Sequence, residues 1–133
     1  MVTGWGGLRG SDIPSNAFIA DSLPFDWLFP HVCVSVHHGG AGTAAAALRA
    51  GIPSVTVPFA LDQATWSRRL EQLGTGSAPL SAKRLSPERL AAAIRQTPEH
   101  HRHRDNAAHL GEKIRGEDGL MNAASIIEQA MTA

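Results

Sequence analysis

The sequence predicts an α/β domain in which a Rossmann-like parallel sheet is flanked by helices, and three observations support this fold class. Short, β-branched apolar runs are typical of strands buried in a parallel sheet. Helical patterns alternate with these runs in the order β-α-β-α-β, and further helices follow. Glycine or proline separates most of the elements. We therefore expect one domain over residues 1–133, with a sheet of three or four short strands.

Each element is predicted from its own stretch of sequence. The first three residues read as the end of a strand, which enters a glycine-rich loop over residues 4–16. The apolar runs predict strands at 17–20, 32–36 and 54–57 and a weak edge strand at 77–80. The helical patterns predict a short helical piece within 23–30 and helices at 43–50, 62–73, 86–96, 99–115 and 120–131.

Helix-terminating and helix-initiating residues support these boundaries. Gly51 and Gly74 each follow a predicted helix, at the position where glycine most often ends one. Ser86 is placed to cap the next helix, with Pro87 at its first position. Trp66 has the spacing of a residue that packs in the core.

The composition argues against several classes of function. Twelve basic and twelve acidic residues cancel, so no overall field attracts nucleic acid or an anionic membrane. No stretch approaches the ~20 apolar residues of a membrane-spanning helix, and the N-terminus lacks the features of a signal peptide. The single cysteine, Cys33, cannot form an internal disulfide. Within a strand it should be a buried, unreactive thiol, and it fits a cytoplasmic protein.

The most informative motif is the glycine-rich turn between the strand 32–36 and the helix 43–50. Its candidate phosphate-binding residues are His38, Gly39, Gly40, Ala41, Gly42 and Thr43. Glycine allows a ligand to approach the backbone, and the N–H groups of Gly42, Thr43 and Ala44 should be unpaired at the helix start. The helix dipole, the Thr43 hydroxyl and the His38 imidazole would each favour an anion there.

Two other interpretations of this turn remain open. It could be a tight turn that needs small residues for helix–sheet packing. It could also be a dinucleotide-binding fingerprint, because Gly40-x-Gly42-x-x-Ala45 fits the looser form and Asp62 lies 20 residues after Gly42. In that fold, however, the acidic residue ends the next strand, whereas Asp62 lies beyond Pro58 at a helix start.

A second polar pair, Asp62 and Gln63, follows the strand 54–57. Ligands of open α/β sheets bind outside the carboxyl ends of the strands. A carboxylate beside a carboxamide offers several acceptors and two donors, which suits neighbouring sugar hydroxyls. The alternative is that Asp62 only caps its helix while Gln63 is solvated.

Taken together, the segments VHHGGAGT, LRAGIPSVTVPF and DQATWSRRLEQLG carry a family resemblance. The chain resembles the donor-binding half of family 1 glycosyltransferases with the GT-B fold, and its closest subgroup is the sterol and antibiotic glucosyltransferases. The resemblance covers almost the whole chain, because TGWGGL, LPFDWLFPHV, LSPERLAAAI and LGEKIRGEDGLMNAASIIE fit the same pattern. It implies that the ligand is a nucleotide sugar, a UDP- or dTDP-hexose, and that neither a metal nor another cofactor is needed.

The resemblance also implies roles for individual residues. His38 and the backbone through Thr43 would hold the diphosphate, and Asp62 with Gln63 would bind the donor sugar. The residues that would line the nucleotide are Trp5, Leu23, Phe25 and Trp27. Phe25 stands where the family often has histidine, Ala44 where a second threonine is common, and Ala46 where plant relatives have a glutamate.

The resemblance further implies that the N-terminal acceptor domain, which supplies the acceptor base, is absent. We therefore assign no catalytic residue to this chain and expect donor binding without efficient transfer. The rival interpretations are a non-catalytic gene fragment and one chain of a split enzyme that works with a separate acceptor-binding chain. A cluster of His100, His101, His103 and His109 could suggest a metal, but a solvated helix face is favoured.

Overall fold

The computed structural model describes residues 1–3, 14–20 and 22–132 of the chain. Its strands are β1 (Val2–Thr3), β2 (Ile19–Ala20), β3 (Ser35–His37) and β4 (Ser54–Thr56). Its α-helices are α1 (Phe25–Leu28), α2 (Ala41–Ala50), α3 (Gln63–Gln72), α4 (Pro87–Glu99), α5 (His101–Gly116) and α6 (Gly119–Thr132). Short 3-10 turns occupy Phe29–His31 and Ala82–Arg84. The predicted alternation of strands and helices is confirmed.

In the described ranges, the strands form two parallel pairs rather than one sheet of three or four strands. β1 pairs with β2, and β3 pairs with β4. The register of the second pair sets His37 beside Thr56. Because parallel strands end at the same edge, the chain leaves β3 and β4 side by side at their carboxyl ends. This edge carries the candidate site.

The prediction of an edge strand at 77–80 was wrong. Gly76 forms an isolated parallel bridge with Ser54, and the N–H groups of Ser77 and Leu80 donate to the carbonyl oxygens of Ser54 and Thr56. Pro79 lies between these two bonds, and a proline has no N–H to extend a ladder. The segment therefore runs along β4 without forming a regular strand.

The predicted helix ends are confirmed where glycine or serine specifies them. Gly51 follows α2 with φ +74°, and its N–H donates to the carbonyl oxygen of Leu48 at 3.0 Å. Gly74 has φ +66° just beyond α3. At the start of α4, Oγ of Ser86 accepts the N–H of Arg89 at 3.3 Å, and Pro87 is the first helical residue.

The core lies between the β3–β4 pair and the helices that flank it. The most deeply buried hydrophobic side chains are Ala44, Ala47, Val55, Leu70 and Ala107. They come from α2, β4, α3 and α5, so burial joins the helix of the glycine turn to the strand beside it. Small residues permit close contact of α2 with α5, because Gly111 lies against the backbone of Gly51.

Three burial predictions were wrong. Cys33 is exposed, because β3 begins two residues later and leaves it in the preceding bend. Val36 is 45% exposed, since Ser35 takes the buried face and side chains alternate along a strand. Trp66 is 40% exposed, while Ser67 and Leu70 form the buried face of α3.

The last helix, α6, has no buried residue. Its exposed apolar side chains are Leu120, Met121, Ile126, Ile127 and Met131. Within the described residues, no helix has the length and apolar character required to cross a membrane.

Candidate functional site

The glycine turn connects β3 to α2, and the helix begins earlier than predicted. Gly40 is the residue before the helix, with an extended backbone, and α2 starts at Ala41. The N–H of Ala44 donates to the carbonyl oxygen of Gly40 at 3.0 Å, so Ala44 is not a free donor as predicted. The N–H groups without an intrahelical acceptor belong to the first turn, Ala41 to Thr43. These three groups and the helix dipole make the turn an anion-attracting end.

Space above the first turn of α2 is open. A Cβ atom added at Gly42 would meet no other described atom within 4 Å. Ala41 and Gly42 are exposed, and Thr43 is half-buried. No side chain caps the helix, because the residue before it is glycine. A ligand oxygen can therefore approach these donors without displacing a protein group.

Gly39 is the point at which the turn contacts α3. Its φ of +86° lies in the left-handed region that glycine adopts most readily. A Cβ atom there would overlap Oγ of Ser67 and would lie 2.9 Å from the carbonyl oxygen of Gln63. Both the backbone conformation and the available space thus require glycine. The contact brings the turn and the first residue of α3 together.

His37 lies at the start of the glycine turn and is not among the residues that the sequence predicts for the site. The N–H of Gly39 donates to Nδ1 of His37 at 3.1 Å, which assigns the proton of the neutral ring to Nε2. Nε2 is buried and has no hydrogen-bond partner in the described part of the chain. Burial and the neighbouring His38 lower the pKa of His37 to about 4. The ring is therefore neutral at pH 7, with an unused N–H donor.

Two hydroxyl groups near the carboxyl ends of β3 and β4 are likewise buried without a hydrogen-bond partner in the described part of the chain. Thr56 is the register partner of His37, and Ser67 lies behind Gly39. Their Oγ atoms are buried and have no partner among the residues described. Buried polar groups are nearly always hydrogen-bonded, to protein or to water. The region behind the turn thus contains polar atoms that could still form hydrogen bonds. His38, in contrast, is exposed.

The loop between β4 and α3 places the second polar pair. Phe59 and Leu61 are 70% and 92% exposed, and Leu61 has φ +56°. Oε1 of Gln63 accepts the N–H groups of Phe59 at 2.8 Å and Ala60 at 3.1 Å. Gln63 is therefore not merely solvated: its carbonyl end holds the loop, and its NH₂ group is left to donate elsewhere.

Asp62 occupies the position before α3, but its side chain makes no capping hydrogen bond. Its main-chain carbonyl oxygen accepts the N–H groups of Thr65 and Trp66 at 3.0 and 3.1 Å. The carboxylate is exposed. The capping alternative is thus not what the structure shows, and this carboxylate is available as an acceptor beside the NH₂ group of Gln63.

The predicted nucleotide-lining residues divide into two groups. Leu23 packs against the core cluster of α1 and α2, whereas Phe25 and Trp27 on α1 are exposed. The ring of Phe25 stacks on Phe29 with centroids 4.8 Å apart. The two exposed rings are available to a ligand. Trp5 lies outside the described residues.

The histidine cluster near the start of α5 is a stack of rings. The ring centroids of His100 and His103 lie 4.5 Å apart, and those of His100 and His101 lie 5.6 Å apart. Over residues 1–3, 14–20 and 22–132, no group of three or more histidine, cysteine, aspartate or glutamate side chains is arranged to hold a metal ion.

A family model places this arrangement among known proteins. The C-terminal domain described as erythromycin biosynthesis protein CIII-like matches residues 7–127. The chain belongs to this family. The resemblance to glycosyltransferases predicted from the glycine turn and the Asp-Gln pair is confirmed.

Curated relatives are named sugar transferases. A sterol 3-beta-glucosyltransferase of Arabidopsis thaliana is 41% identical over 124 residues, which is 90% of this chain and 20% of that protein. An O-mycaminosyltylonolide 6-deoxyallosyltransferase of Streptomyces fradiae is 39% identical over 93% of this chain and 29% of that protein. The chain thus spans less than a third of the length of either relative.

Solved structures confirm the fold class. The calicheamicin glycosyltransferase CalG4 superposes with a TM-score of 0.82 at 28% identity, over 90% of this chain and 31% of that one. The glycosyltransferase VinC, solved in complex with DTDP, has a TM-score of 0.81 at 25% identity, over 90% of this chain and 30% of that one. The chain has the Rossmann-like α/β architecture of the GT-B glycosyltransferases.

Proposed function

We propose that this chain binds a nucleoside-diphosphate sugar as the donor half of a hexosyltransferase. One observation carries the proposal: Gly39 brings the open N-terminus of α2 against α3, which begins with Gln63. An anion-attracting turn thus lies beside a carboxylate and a carboxamide that can bind hydroxyl groups. Membership of the family and the DTDP complex of VinC support the same ligand class.

The diphosphate would lie at the N-terminus of α2. The N–H groups of Ala41, Gly42 and Thr43 would donate to its oxygens, with the Thr43 hydroxyl as a further donor. Gly39 and Gly40 would allow the close approach. His38 is exposed beside Gly40 and would add its imidazole.

We place His37 in the same site as a second imidazole donor. Its Nε2–H is the only ring donor left once Nδ1 accepts from Gly39, and it lacks a partner in the described region. A buried N–H without an acceptor is costly, so an acceptor oxygen from ligand or water would stabilise it. Because the ring is neutral, this contribution would not depend on the protonation of His37 at pH 7.

The sugar would lie against the loop between β4 and α3. The carboxylate of Asp62 would accept from its hydroxyl groups, and the NH₂ group of Gln63 would donate. The exposed rings of Phe25 and Trp27 are proposed to line the base together with Leu23 and Trp5.

The chemistry supported here is stabilisation of a leaving group. As a glycosidic bond breaks, negative charge develops on the diphosphate, and preorganised N–H donors stabilise it. We propose hexose transfer to an acceptor hydroxyl with inversion, without a metal or other cofactor. We assign no acceptor base to the described residues, so transfer would depend on an acceptor domain or on a separate acceptor-binding chain.

A dinucleotide-binding function is the second candidate for the turn, and the structure supports it less well. Its acidic residue would have to follow the strand directly to reach a ribose. Asp62 instead lies six residues beyond the last residue of β4, next to the Gln63 side chain that holds the loop.

A cytoplasmic location is proposed on the single cysteine alone.

Calorimetric titration with UDP-glucose, dTDP-glucose and NAD tests the proposal. Binding of a nucleotide sugar, with no heat from NAD, is the expected result. Binding of NAD alone would favour the dinucleotide interpretation. Absence of binding to all three would favour a non-catalytic fragment. Efficient glycosyl transfer by the purified chain alone would contradict the need for a separate acceptor domain.

A further inference from the structure

A cavity of about 400 Å³ lies between α4, the start of α5 and the segment that follows β4. Its apolar walls come from Ala78 and Leu80 of that segment and from Ala92 and Ala93 of α4. None of the residues proposed to bind the donor lines it. Its size falls in the range of small-molecule sites, which is about 300–1,000 Å³.

The titratable side chains that line this cavity are all bases: Arg89, His100 and His103. Among its described lining residues there is no carboxylate. Nη1 of Arg89 donates to the carbonyl oxygen of Arg84 at 3.1 Å, and the rest of the guanidinium keeps its other N–H donors. The Arg89 guanidinium beside apolar walls favours an anion with an apolar body over a cation.

Two side chains of the lining have unused hydrogen-bonding capacity. Oγ of Ser77 and Nδ1 of His103 are buried and have no hydrogen-bond partner in the described part of the chain. His103 is held by stacking on His100. Because buried polar atoms are seldom left unpaired, each side chain keeps a hydrogen bond to offer if it turns towards the cavity.

We propose that this cavity is a second binding site, separate from the donor site, for a small organic carboxylate with an apolar body. The carboxylate lies beside Arg89 and within the polar part formed by Ser77 and His103. The apolar body lies against the alanine and leucine walls. A guanidinium pairs with a carboxylate through charge-assisted hydrogen bonds, which an uncharged analogue of the same shape cannot form.

The test uses 4-phenylbutyrate as the probe and 4-phenylbutanol as its uncharged match, each titrated into the ¹⁵N-labelled chain and followed by NMR. The expected result is that the carboxylate shifts the amide signals of Ser77, Ala78 and Leu80 and of the facing part of α4, while the alcohol has little effect. Addition of UDP should not displace the carboxylate, because the two sites share no residue. Equal binding of acid and alcohol, shifts confined to other surfaces, or no binding of the acid would each overturn the proposal.

Variants on one helix separate charge from shape. Arg89→Gln should weaken binding by about tenfold or more, because it removes a charge-assisted hydrogen bond. Arg95→Gln is the matched control, since Arg95 is exposed on the same helix and does not line the cavity. Ala93→Leu should abolish binding by filling the cavity. If that variant unfolds at a much lower temperature than the wild type, Ala92→Leu replaces it in the test. Equal affinities of the two arginine variants, or binding retained by a folded leucine variant, would overturn the proposal.

Discussion

The backbone N–H of Gly39 donates to Nδ1 of His37 at 3.1 Å, and this bond ties the glycine turn to the end of the strand that precedes it. Only a neutral imidazole can accept it. Burial and the neighbouring His38 lower the pKa of His37 to about 4, so the ring is uncharged at pH 7. The shape of the turn and the protonation of this histidine are therefore linked.

Stability should depend on pH through His37. Between pH 4 and 6.5 the unfolded chain binds a proton that the native state excludes, since the ordinary pKa is 6.5. The free energy of unfolding should therefore be fully retained above pH 6.5 and should fall by about 2–3 kcal/mol as the pH drops towards 4. Urea unfolding across this range measures it.

A variant that lacks only His37 and a control variant complete this experiment. His37→Asn should reduce the pH dependence, and His109→Gln, on the exposed side of α5, should leave it unchanged. A residual slope of the same sign is expected from His103, whose pKa burial and His100 also lower. Identical slopes in all three proteins would contradict the role of His37.

The exposed histidine should act on binding alone. His38→Ala is expected to weaken UDP binding by about 1–3 kcal/mol, the range for a hydrogen bond to a charged group. Because His38 is exposed, the free energy of unfolding should change little. Calorimetry gives the first quantity and urea unfolding the second. An unchanged affinity would remove His38 from the site.

Gly42 offers a test in which stability and binding should move in opposite directions. A Cβ atom there has free space, so Gly42→Ala should stabilise α2 by about 0.5–1 kcal/mol. The same methyl group would stand where a phosphate oxygen approaches the helix N-terminus, so affinity for UDP should fall. Gly116→Ala is the control, because it also has free space but ends α5. Equal affinities of the two variants would place the diphosphate elsewhere.

The sequence predicts the structure better where local chemistry decides the outcome than where the surroundings decide it. Glycine after α2 and the serine cap of α4 have local causes, and both predictions were confirmed. The burial of Cys33, Val36 and Trp66 depends on which face other elements cover, and those predictions were wrong. An apolar run alone does not reveal that Ser35 faces inward.

The role proposed for His37 was not predicted from the sequence for a similar reason. The pair His37–His38 ends a strand, where adjacent side chains point to opposite faces, so one of the two should be less exposed than the other. That signal was present in the sequence. Which imidazole is buried, and that Gly39 donates to it, depends on α3 packing against the turn through Ser67.

Gln63 can separate loop structure from sugar recognition. Gln63→Glu keeps an acceptor for the N–H groups of Phe59 and Ala60 but loses the NH₂ donor. It should retain affinity for UDP and lose the additional affinity for UDP-glucose by about tenfold. Gln63→Ala should also release the loop, with faster amide exchange at residues 59 and 60. A glutamate variant that discriminates UDP-glucose from UDP like the wild type would contradict the sugar-binding role.

The close contact of α2 with α5 at Gly111 should not tolerate an added methyl group without a loss of stability. A Cβ atom at Gly111 would lie 2.8 Å from Cα of Gly51 and 2.9 Å from the carbonyl oxygen of Leu48. These are backbone atoms, so a helix must shift, and Gly111→Ala should cost about 1–3 kcal/mol despite alanine's higher helix propensity. Gly116→Ala on the same helix meets nothing and should be neutral or stabilising. Because the proposed diphosphate site lies at the N-terminus of α2, Gly111→Ala should weaken UDP binding as well, measured by calorimetry at a temperature where the variant remains folded. Unchanged stability would mean that the two helices do not approach as closely as the structure shows.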